Sequence, residues 1–158
     1  MHKIHLTAVP VDEAVSPKRR YHSFAQDISQ AMRQNNGGKT KPNMFPFEVS
    51  LVRLPPRAAN WPYHWHSAQW EFYMIVAGRG KLRTARAEIQ IVEGDCFALA
   101  PGEPHQLINS GATDLLYYII ADNPASDVCH YPDSGKWSLP GQEKAVRVQP
   151  VSYFEGEE

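Results

Sequence analysis

The stretch PYHWHSAQWEFYMIVAG, residues 62–78, decides how this chain is read. Its second half, residues 70–76, is rich in aromatic and β-branched side chains of the kind that form a strand, and Gly78 and Gly80 let the chain reverse. Its first half sets His64 and His66 two residues apart, so on a strand both imidazoles leave from one face. Glu71 follows, with Tyr73 and Ile75 on its face, and adds a charged oxygen to the two nitrogens. Two imidazoles and a carboxylate so placed can converge on a single ion. An isolated His-x-His pair is more often two ordinary histidines in an aromatic strand.

A second block weighs against that plainer reading. In GDCFALAPGEPHQLIN, residues 94–109, His105 comes just after Pro101-Gly102, where a tight turn hands the chain to the next strand. Three histidines and a glutamate at strand starts or on strand faces are hard to explain by packing alone.

Outward from these blocks, residues 47–54 alternate and stop at Pro55-Pro56. Further short strands are expected over 81–86, 89–92, 96–100, 105–109 and 115–121, with glycine turns between them. Short strands at regular spacing predict an all-β sandwich or barrel. On the amino-terminal side, Ile4, Leu6 and Ala8 suggest a short strand ending before Pro10, and Ser23 is positioned to cap a helix through Gln34 that ends at Asn35-Asn36-Gly37-Gly38. The expected organisation is therefore a strand/helix lead-in over 1–41, packed on the barrel or on a partner subunit. A β-barrel over 42–122 and an irregular tail over 123–158 follow.

The two blocks resemble the paired motifs of the cupin superfamily. His64, His66, Glu71 and Gly78 match the first motif, and Gly94, Gly102, His105 and Asn109 match the second at its spacing. Ala58 stands where the first usually begins with glycine and Ala100 where the second usually has proline; both positions shape backbone and neither is a ligand. The resemblance implies a cupin-type antiparallel β-barrel (a double-stranded β-helix or jelly roll) with the metal ligands His64, His66, Glu71 and His105. The tail DVCHYPDSGKW, residues 127–137, is similar to that of small bacterial cupins, some labelled sugar-phosphate-isomerase-like.

Three nitrogens and one oxygen suit one divalent ion of Mn, Fe, Zn, Ni or Co. The reaction stays open between a metal-dependent isomerase-like enzyme acting on a small polar metabolite such as a sugar phosphate, an Fe(II)-dependent dioxygenase, and a non-catalytic small-molecule binding module. Glu71 is the ligand able to double as a proton carrier, with Tyr73 as alternate, so these are the candidate catalytic residues. Tyr117, Tyr118 and Gln106 are candidate hydrogen-bonding groups near the barrel mouth. Arg53, Arg57, Arg79, Lys81 and Arg83 cluster in sequence beside the first motif; they hold an anion or simply face water, and the sequence favours neither.

Other features bound the function more loosely. The net charge of −1 gives no reason to expect a polyanionic partner, and a lone helix is not a DNA-reading unit, so no nucleic acid is expected. No apolar run approaches the length of a membrane span, and the first ten residues do not resemble a secretory signal. Cys96 and Cys129 are read as reduced bystander thiols in a cytoplasmic protein, and His2, His5, His22 and His130 as ordinary. If Glu71, Tyr73 and Ile75 face inward, Trp70, Phe72, Met74 and Val76 face outward. That stripe, too apolar for water, predicts a homodimer.

Overall fold

Alternation of apolar and polar side chains becomes a set of antiparallel strands in the computed structural model, which describes residues 2–34 and 45–158. In chain order these are β1 (Asp12–Val15), β2 (His22–Asp27), helix α1 (Ile28–Gln34), β3 (Phe47–Leu54), β4 (Trp65–His66), β5 (Glu71–Ala77) and β6 (Arg79–Thr84). Then come β7 (Glu88–Val92), β8 (Cys96–Leu99), β9 (His105–Ile108), β10 (Leu115–Asp122), β11 (Cys129–Tyr131) and β12 (Lys136–Ser138). One sheet runs β1-β2-β3-β10-β5-β8, a second β7-β6-β9, and a third β12-β11-β4.

The period of two shows most clearly on β5. Glu71, Tyr73 and Ile75 are buried while Phe72, Met74 and Val76 are exposed. The inward residues of the first two sheets meet in one core built on Leu54, Tyr73, Ile75, Leu82, Leu107, Leu115 and Tyr117. The reversal between β5 and β6 needs glycine. Gly78 has φ +85°, and a Cβ there would lie 2.3 Å from the Asp114 carbonyl oxygen.

Three expectations are corrected. Residues 4–8 do not form a strand; Leu6–Ala8 is a 3-10 turn whose Thr7 N–H donates to the His5 ring. Ser23 caps no helix, because residues 22–27 are β2, paired with β3 from Phe24↔Arg53 to Asp27↔Ser50. The helix starts at Ile28, where the Asp27 carboxylate accepts the Gln30 N–H at 2.8 Å. The expected stop at residues 35–38 and the boundary at 41/42 lie outside the described residues. The tail is not wholly irregular either. β11 and β12 form a small hairpin, and β11 pairs with β4, setting Cys129 opposite His66. Among the described residues no helix is long and apolar enough to cross a membrane.

Candidate metal centre

Four separate pieces of backbone bring the site together. His64 and His105 form an isolated antiparallel bridge, exchanging N–H···O bonds of 3.1 and 2.8 Å. This sets their rings 4.6 Å apart, centroid to centroid. His66 lies on β4, with its ring 5.1 Å from that of His64. Glu71 opens β5, clamped between Leu99 of β8 and Ala121 of β10. His64, Glu71 and His105 are all buried, and their ligand atoms lie within 4.8 Å of one another, so the three could hold a metal ion. His66 stands beside them, its Nε2 3.8 Å from a Glu71 oxygen.

Each imidazole is held by its outer nitrogen. His64 Nδ1 donates to the Pro62 carbonyl at 2.8 Å, His105 Nδ1 to the Glu103 carbonyl at 3.0 Å, and His66 Nδ1 to the Asp127 carboxylate at 2.5 Å. These acceptors fix the tautomer and leave each Nε2 with its lone pair available to the centre. His105 Nε2 lies 2.8 Å from Glu71 Oε2. With Nδ1 already donating, a neutral His105 would set a lone pair against a carboxylate oxygen. A metal ion shared by His105 Nε2 and the Glu71 oxygen would satisfy both at this separation. The donor set fits a divalent ion on that ground.

The electrostatics agree. Burial, with help from the His105 charge, pushes His64 down to about 4, so its ring is neutral near pH 7 and free to ligate. Burial alone would raise the Glu71 carboxyl, but the hydrogen bond from His105 and the charges of the three histidines outweigh it and hold the group below its usual value. Asp127 behaves alike: burial raises it, while His66 and the Ala68 and Gln69 N–H groups lower it further than burial lifts it.

A cavity of about 450 Å³ opens onto these ligands. His64, His66 and Glu71 line it on one side, and Cys129, Tyr131, Leu139 and Pro140 from the tail on the other. Tyr73 does not reach it. Its fully buried hydroxyl donates to Glu71 Oε2 at 3.3 Å, and burial raises its pKa well above the ordinary phenol, so it is a neutral group that steadies Glu71. Tyr117, Tyr118 and Gln106 do not line the cavity; Gln106 donates to the Trp61 carbonyl at 2.6 Å and braces that loop.

The basic residues beside the first motif are absent from this cavity among the described residues. Arg53 pairs with Asp114 at 2.9 Å and lies over the Phe24 ring. Arg83 grips Asp133 with bonds of 2.7 and 2.8 Å over the Tyr63 ring, and Lys81 meets Glu88 at 2.9 Å. Arg57 and Arg79 line a different cavity with Ser110. Closeness in sequence to the first motif therefore does not put these side chains on the cavity wall.

One functional residue escapes sequence reasoning. Asp127 orients His66 and also accepts the Ala68 N–H at 2.9 Å, holding the loop between β4 and β5. It is 61 residues from His66, and no local pattern marks it. The likeness of residues 127–137 to other cupin tails points to the segment without giving it a role.

Comparison with known proteins supports the same fold. Residues 50–121 match the family model for the cupin domain. An oxalate-binding protein of Thermotoga maritima is 30% identical over 69 residues, a span of 44% of this chain and 56% of that protein. A crystal structure from Silicibacter pomeroyi, described as a sugar phosphate isomerase from a cupin superfamily, has a TM-score of 0.75 at 23% identity, covering 96% of this chain and 97% of that one. A structure from Acidithiobacillus ferrooxidans has the same TM-score of 0.75 at 17% identity, covering 92% of each chain. At such identities the likeness is one of fold. Residues 50–121 thus match the cupin domain model, and the antiparallel sheets built around them have the fold of a cupin β-barrel.

Proposed function

We propose that His64, His66, Glu71 and His105 hold one divalent metal ion, and that the protein acts as an isomerase-like enzyme on a small metabolite offering two oxygen atoms to the site. The observation that supports this most is the common arrangement of the three imidazoles. Each Nδ1 is tied to an acceptor and the inner nitrogens are left to surround Glu71. When bound, the metal supplies Lewis acidity toward a carbonyl or hydroxyl oxygen of the ligand.

The chain's own groups do the rest. Glu71 is the carboxylate among the four and lines the cavity; its Oε2 is occupied by His105 and Tyr73, which leaves Oε1, 3.8 Å from His66 Nε2, to accept or return a proton. Tyr131, Leu139 and Pro140 line the cavity from the tail side, where they would pack against a bound metabolite. With no lysine or arginine lining this volume among the described residues, the ligand's charge is met by the metal itself. This favours a compact hydroxy-carbonyl compound over one carrying a remote phosphate.

A second reading has its own support. Asp127, the other cavity-lining carboxylate, is engaged with His66, and burial pushes Tyr131 up to about 12. A site so poor in proton carriers also suits a small-molecule binder, and the Thermotoga relative is described as an oxalate-binding protein. The test is a screen of sugars, sugar phosphates, small keto acids and oxalate against Mn, Zn, Ni, Co and Fe(II) forms, in air and without it. Anaerobic isomerisation of an unphosphorylated hydroxy-carbonyl compound is the expected result. Saturable binding of oxalate with no turnover on any compound would favour the binder, and turnover only with iron in air would favour a dioxygenase.

A further inference from the structure

The metal centre carries a donor that neither motif contains. β11 lies against β4 with Cys129 opposite His66, and the half-buried thiol lines the same cavity as both histidines. One ligand atom each from His64, His66 and Cys129 lie within 4.8 Å of one another, just as those of His64, Glu71 and His105 do. The two groups share His64 and differ in chemistry. The fully buried one is two nitrogens and a hard carboxylate oxygen; the outer one is two nitrogens and a soft sulfur. Because His64 Nδ1 is bound to the Pro62 carbonyl, its Nε2 alone remains, and one nitrogen serves one ion at a time.

We propose that Cys129 is a metal ligand, and that the site offers two mutually exclusive positions: an inner one for hard ions such as Mn(II), and an outer one at His64, His66 and Cys129 for thiophilic ions such as Zn(II), Co(II) or Cd(II). The proposal rests on the metal-binding reading given above and deepens it. As the metal–sulfur bond forms, the Cys129 S–H bond breaks and its proton leaves to solvent, so the sulfur binds as thiolate. The tail thereby becomes part of the site, supplying Cys129 to the outer position and Asp127 to orient His66, which ligates in either position.

The chain has only two cysteines, and Cys96 is an exposed residue at the start of β8, which makes the test clean. Full-length protein loaded with Co(II) is expected to show a thiolate-to-cobalt charge-transfer band in the near ultraviolet. Cys96→Ser keeps the band. Cys129→Ser loses it while still taking up Co(II) by elemental analysis, and its preference shifts from Zn(II) toward Mn(II). A measurement that leaves Cys129 intact is alkylation of the Cys96→Ser protein, which Zn(II) or Cd(II) slows and Mn(II) does not. Co(II) bound with no charge-transfer band, a band that survives in Cys129→Ser, or alkylation indifferent to Zn(II) would each overturn the proposal while leaving the metal site standing. Wild-type protein that binds no Co(II), Zn(II) or Mn(II) would overturn the metal-binding reading, and this inference with it.

Discussion

Asp127 shows how much of the proposed centre rests on residues outside its four candidate ligands. Its carboxylate fixes the His66 tautomer and, through Ala68 and Gln69, the loop leading to Glu71. Asp127→Asn keeps the shape but lets the side-chain amide present a donor to His66 Nδ1. Metal affinity should fall by about 10–100-fold with little change in far-UV circular dichroism; unchanged affinity by competition with a chelator would remove Asp127 from the account. His64 gives a pH dependence of definite sign. Its folded value of about 4 lies below the ordinary 6.5, so between these limits the unfolded chain binds more protons than the folded one. The metal-free protein should therefore lose stability as the pH falls through that window, and Glu71 and Asp127, also held below their usual values, add to the loss at its acid end. Melting temperatures across this range in the presence of a chelator check it. The four motif residues could be proposed from the sequence because each opens a strand or shares a face with a neighbour two positions away. Asp127 could not, because its role arises only when the tail folds back onto β4.

Among the elements, the strands β3 and β5 to β10 follow the alternation and glycine turns of the sequence closely. The lead-in does not, because its local signals lose to tertiary pairing. Residues 23–26 have side chains compatible with either element, and hydrogen bonding to β3 decides for a strand. β11 and β12 are three residues each, too short for any period to show, and exist because β4 and each other's edges pair with them. The turn at Gly78 is the most sharply determined element junction. Gly78→Ala combines a left-handed backbone with a Cβ 2.3 Å from a carbonyl oxygen, and should cost more than about 2 kcal/mol in chemical denaturation. The β11–β12 hairpin is latched to β6 by Arg83 and Asp133. The pair is largely exposed, so Asp133→Ala should change global stability by less than about 1 kcal/mol. It should nevertheless speed proteolysis within residues 129–138; equal cleavage rates would mean the latch contributes nothing to holding the tail.

Taken whole, the molecule leaves an apolar band on the outer side of its largest sheet. Trp70, Phe72, Met74 and Val76 are 53, 38, 39 and 36% exposed, and Ile120 of β10 lies beside Phe72. The lead-in strands extend this sheet at the β3 edge and leave the band uncovered. A band of this kind calls for a second copy of the chain. Light scattering at micromolar concentration should give a dimer, and Met74→Lys a monomer that still binds metal; a monomeric wild type would show that the band stays open to water. The barrel's alternation made the band legible in the sequence, whereas the position of the tail over the cavity was not, since nothing local ties residues 127–140 to the site. The claim on which the account stands is the metal centre, and elemental analysis of protein purified without a histidine tag tests it most directly. Wild type should carry about one divalent ion per chain, and His64→Ala, His66→Ala and His105→Ala should each lose it while keeping the β-sheet spectrum, because each removes one inner nitrogen from the set around Glu71. Wild-type metal content in all three variants, or no bound metal in any folded form of the protein, would contradict it.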